Sequence, residues 1–81
     1  MEEIIAKIHQ IIGYISDDAR SVKLVMTDID GDFQQISAEL DTSSAADELQ
    51  SAMKEAHQSA DSALVALQRT QNQLEDLLSR F

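Results

Sequence analysis

The stretch KLVMTDIDGD, Lys23 to Asp32, sets three carboxylates, Asp28, Asp30 and Asp32, around Gly31 at the end of an apolar run. Two carboxylates so placed at the tip of a strand can act as nucleophile and general acid in phosphoryl transfer. Acids at alternate positions also open calcium loops. Glu39 falls at the twelfth position from Asp28, where such a loop places its bidentate carboxylate. Which chemistry is open depends on the element that carries the aspartates.

Apolar residues recur at steps of three and four through Ile4, Ile8, Ile11, Ile15, Val22, Val25 or Met26, Ile29, Phe33, Ile36 and Leu40. That spacing predicts one amphipathic helix over about 3–40. A second set, Ala46, Leu49, Met53, Ala56, Ala60, Leu64, Leu67, Gln71, Leu74, Leu78 and Phe81, predicts another over about 45–80. Between them no large apolar residue occurs from Asp41 to Glu48, so the turn is placed at about 41–44. Ser44 is the expected N-cap, Asp47 stands three residues on, and Asp47 and Glu48 suit the positive end of the helix dipole. Arg80 suits the negative end. Each helix would run about 55 Å at 1.5 Å per residue. The expected fold is all-α: a single domain, 1–81, forming an antiparallel two-helix hairpin able to assemble into a four-helix bundle or larger complex. In that register Phe33 and Ile36 face Met53 and Leu49, Val22 faces Ala63 and Leu64, and Ile4 and Ile8 face Leu78 and Phe81.

The helical reading decides the chemistry. KLVMTDIDG resembles the first motif of the haloacid dehalogenase family, with Asp28 and Asp30 as nucleophile and general acid/base. The likeness covers about ten residues, and that family's doubly wound fold needs strands that this chain does not offer. A calcium loop needs glycine at its sixth position; Phe33 stands there, and Phe33 and Ile36 belong to the helix stripe. In the helix, Asp28 and Asp32 share one outer flank and Asp30 lies on the other. Gly13 and Gly31 each cost the helix about 1 kcal/mol relative to alanine, and they mark a bend or the close approach of a partner backbone. His9 and His57 lie on different helices, far apart in the antiparallel register. No serine has a histidine and an aspartate arranged around it. The reading is of no catalytic residue, no metal site, no cofactor and no small-molecule substrate.

Composition narrows the partners. Fifteen acids against six bases give a net charge of −9, which is unsuited to the phosphates of nucleic acid or to an anionic membrane. No cysteine is present, and no segment nears the ~20 apolar residues of a membrane span. MEEIIAKIHQ lacks the basic start of a cleavable signal peptide. The expected location is the cytoplasm, or outside the cell by a route that needs no such signal. The end away from the turn carries more apolar residues than one seam can cover, and such an excess marks an interface. Ile5, Ile8, Ile12 and Ile15, with Leu74, Leu77, Leu78 and Phe81, are the expected partner interface, serving a homodimer or a helical heterodimer.

A short acidic hairpin with a central turn, and without cysteine, proline or signal peptide, resembles the WXG family, the small early-secreted-antigen-type proteins of type VII secretion. Leu40, Asp41 and Thr42 stand where that family carries its Trp-x-Gly turn. Tyr14, with Asp18 four residues on, matches the spacing of the family's export signal, although within the first helix. The resemblance implies a dimer, secreted or escorting a larger secreted protein. Two other classes fit the same hairpin. One is an acidic inhibitor that occupies a basic nucleic-acid channel, using Asp17, Asp18, Asp28, Asp32, Glu39 and Asp41. The other is a self-assembling filament or needle subunit.

Overall fold

The computed structural model describes residues 1–40 and 43–81. It contains two helices, α1 (Glu2–Glu39) and α2 (Ser43–Leu78), packed against each other as an all-α hairpin. Residues 41 and 42 of the expected turn lie outside the described residues. Glu2 and Glu3 in the first turn of α1 complement its positive end, and α1 stops where Leu40 turns to extended backbone. Because α2 begins at Ser43, Ser44 sits inside its first turn rather than ahead of it. At the far end Arg80 lies just beyond α2, its N–H donating to the Leu77 carbonyl at 3.1 Å.

The inward face of α2 is the expected one. Ala46, Leu49, Met53, Ala56, Ala60, Leu64, Leu67, Gln71, Leu74 and Leu78 are all half-buried. In α1 the stripe is rotated from expectation. Ile8, Ile15, Val22, Met26, Ile29, Phe33 and Leu40 face inward as anticipated, but in the first half Ile5, Ile12 and Ala19 stand beside them in place of Ile4 and Ile11, and Ile36, expected to face inward, is 48% exposed. Ile4 and Ile11 are left 50% and 44% exposed, and Val25 is exposed as well. The cause lies at seven-residue spacing. The row through Ile5 is apolar at every step, whereas the row through Ile4 and Ile11 continues to Asp18, Val25, Asp32 and Glu39. Turning that second row inward would bury three carboxylates, at far greater cost than exposing two isoleucines. From Ile5 to Phe33 the chosen seam repeats in steps of three and four, the spacing of a coiled coil.

The seam of α2 departs from that repeat once. From Ala56 through Ala60 to Leu64 the steps are four and four, so Met53 and Leu64 stand eleven residues apart, a spacing that locally unwinds a supercoil. Small residues cluster there, and Ala63 and Ala66 come to the surface.

The interior is thin. Among the described residues only Ile8 and Ile15 are buried, at 6% and 8% exposed, and both lie in the half of α1 away from the turn. The hairpin measures 62 × 16 × 11 Å, with a radius of gyration of 18.5 Å. A compact domain of this length would have about 12 Å. Gly13 and Gly31 are ordinary helical positions, and a Cβ at either would meet nothing within 4 Å. Neither glycine is required by packing inside the chain.

Two stability outcomes follow. Gly13→Ala and Gly31→Ala should each raise the unfolding free energy by up to about 1 kcal/mol, read by urea titration of the helical circular dichroism signal. Ile15→Ala should lower it by roughly 2–4 kcal/mol, whereas Ile4→Ala should change it by less than about 1 kcal/mol.

Candidate interaction surface

The aspartate cluster lies in the uninterrupted middle of α1. Asp28 and Asp32 point to solvent. Asp30 is half-buried at the edge of the seam, where it accepts a hydrogen bond from His57 Nε2 across the helix pair at 2.7 Å. Reading the aspartates as an outer flank missed this pair. The register contained the signal: if Phe33 faces Met53, one helical turn along each chain brings Asp30 to His57. Among the described residues it is the one side-chain hydrogen bond joining the two helices. Both groups remain more than a third exposed, so the pair is weak and positions rather than holds. No group of three or more potential metal ligands converges among the described residues.

The other singled-out residues separate into two sets. Ile8 and Ile15 are buried in the α1–α2 seam, while Ile5, Ile12, Leu74 and Leu78 are half-buried along it. These side chains hold the hairpin together. Leu77 and Phe81 are exposed, with Ile4 and Ile11, and these leave apolar surface in water. Tyr14 and Asp18 lie one turn apart on the exposed side of α1, and the Tyr14 hydroxyl accepts a hydrogen bond from Gln10 Nε2 at 2.8 Å.

One face of the hairpin carries the exposed apolar residues Ile4, Ile11, Tyr14, Val25 and Leu77. A shallow groove runs between the helices, lined by Asp18, Ser21 and Val22 on α1 and by Ala63, Ala66, Leu67 and Thr70 on α2. Thr70 also lines a second groove that continues along α2 past Leu77 to Arg80. Ala63, Ala66, Thr70, Gln73, Leu77 and Arg80 repeat in steps of three and four, so they form a single row. On α1, Ile4 and Ile11 precede Asp18 at seven-residue steps, and Tyr14 precedes Ser21 in the same way; all lie on this face. The opposite side carries His9, Ser16, Lys23 and the Asp30–His57 pair and is polar.

No helix among the described residues is long and apolar enough to cross a membrane. Compared with known proteins, the chain matches no family model, no curated protein and no solved structure.

Replacing His57 with alanine should lower stability by less than about 1 kcal/mol, because an exposed pair contributes little. A loss of several kcal/mol on denaturant titration would mean that the pair, rather than the apolar seam, holds the helices together.

Proposed function

We propose that this chain is a non-enzymatic helical interaction protein that completes its interior on another helical chain, as a dimer or as the partner of a larger protein. The observation that carries this reading is its surface. The accessible area is 6291 Å², whereas a compact monomer of 9.0 kDa would expose about 4,850 Å². The surplus of about 1,400 Å² per chain falls within the range that permanent protein–protein interfaces bury on each partner. The exposed apolar face gives that surplus a location.

The WXG resemblance adds a finer version, in which the hairpin leaves the cell through type VII secretion or escorts a larger secreted protein. The turn in the middle of an acidic hairpin supports it. The acidic-inhibitor reading draws on the charge carried by the turn half and predicts binding that weakens steeply with salt, since its attraction is between charges. An apolar interface should be nearly insensitive to salt.

Light scattering on the purified chain, alone and mixed with candidate helical partners, tests the reading. The expected mass exceeds 9.0 kDa, at both low and high salt. A strict monomer that takes up no helical partner contradicts it.

A further inference from the structure

We infer that the chain received by this face is a different one: a helix rich in lysine and arginine along the part that lies by the hairpin turn, and apolar along the part that lies by the open end. This rests on the proposed function and adds the chemistry of the partner and the direction in which it lies.

The residues standing one place before each inward residue make up the face. On α1 it opens with Ile4, Lys7, Ile11 and Tyr14, and from there on its charges are Asp18, Asp28, Asp32 and Glu39. On α2 it ends with Leu77 and Arg80, and nearer the turn its charges are Glu48 and Glu55. The groove between the helices, lined by Ser21, Ala63 and Ala66, gives way along α2 to Ser62 and Ser59, then to Glu55 and Glu48. All six carboxylates are exposed, and among the described residues no base stands with them on this face. The face is therefore apolar with two bases at one end and acidic at the other. The opposite face is balanced over the same length: Arg20, Lys23 and Lys54 stand there with Asp30, Asp47 and Asp61, each one place after an inward residue. The acidity belongs to one side of the hairpin, not to its turn half as a whole.

Charge selects the occupant. A helix covering the whole face meets six carboxylates, and without cations it takes them out of water unpaired. A second copy laid parallel brings six more acids. Laid antiparallel, it brings Lys7 and Arg80, which leave four of the six unpaired on each copy. Two chains of net charge −9 also repel on approach. A cationic helix pairs all six. The serines and alanines along the groove let its backbone come close, while the long stems of lysine and arginine reach out to the acids on either rim. At the open end Ile4, Ile11 and Leu77 call for apolar side chains instead.

Calorimetric titration of the full chain with two synthetic helical peptides tests this. The hairpin is 62 Å long, so each peptide has about 40 residues at 1.5 Å per residue. Both carry a leucine stripe; beside it, in one half only, one peptide has lysines and the other glutamates. The lysine peptide should bind at least about tenfold more tightly at about 0.05 M salt. At about 0.5 M salt the difference should shrink, with binding retained through Ile4, Ile11 and Leu77. Asp28→Asn combined with Asp32→Asn should weaken the lysine peptide about tenfold. Asp17→Asn combined with Asp61→Asn removes the same charge off the face and should change its affinity by less than about twofold. Equal weakening by the two double variants overturns the assignment to this face. A lysine peptide that binds no better than the glutamate peptide overturns the cationic partner and leaves the proposed function standing. A chain that takes up neither peptide but has a dimer mass in light scattering is covered by its own copy, which also overturns this inference alone. A strict monomer that takes up neither peptide and unfolds cooperatively overturns both.

Discussion

Two helices can touch each other only along a line. Each buries one narrow stripe, and everything outside that stripe stays in water unless a third surface arrives. That constraint governs the rest of this molecule. An 81-residue chain folded as two long antiparallel helices has many apolar side chains and almost no interior, so its best-buried residues are two isoleucines on one helix. The rotated stripe of α1, the small residues at the surface of α2 and the surplus of accessible area all follow from how much can be hidden along one seam.

Choosing which apolar row to hide is an electrostatic decision as much as a hydrophobic one. In α1 two rows compete for the place beside Ile8, Ile15, Val22 and Ile29. The row that wins has no charge in it; the losing row carries Asp18, Asp32 and Glu39. Burying a carboxylate without a partner costs more than leaving an isoleucine half-exposed. The same three acids therefore explain why Ile4 and Ile11 remain outside. Negative charge and exposed apolar surface are two consequences of one choice, which is why they share a face of α1 and divide it lengthwise.

Much of this was legible in the sequence. The inward row of α2 could be read residue by residue, because small and large apolar residues alternate with strongly polar ones and leave a single candidate stripe. The helical setting of Asp28, Asp30 and Asp32 was equally plain, since Ile29 and Phe33 belong to the seam. The α1 stripe was harder. Near its start Ile4, Ile5, Ile8, Ile11, Ile12 and Ile15 satisfy two phases at once, and only the charges farther along, at Asp18 and Asp32, decide between them. Ile5, Ile8, Ile12 and Ile15, marked from the sequence as partner surface, consequently lie along the hairpin's own seam. The Asp30–His57 pair escaped for another reason. It depends on the register between helices, and a register shift of one turn separates these side chains by about 5 Å.

The proposed association implies that this hairpin lacks the interior to be stable by itself. Thermal unfolding followed by circular dichroism at about 1 μM and about 100 μM chain tests that most directly, because a chain stabilised by association melts at a temperature that depends on concentration. A broad, low transition in dilute solution that rises and sharpens with concentration, or on addition of the partner chain, is the expected result. A sharp transition of a monomer at the same temperature across that range would contradict it.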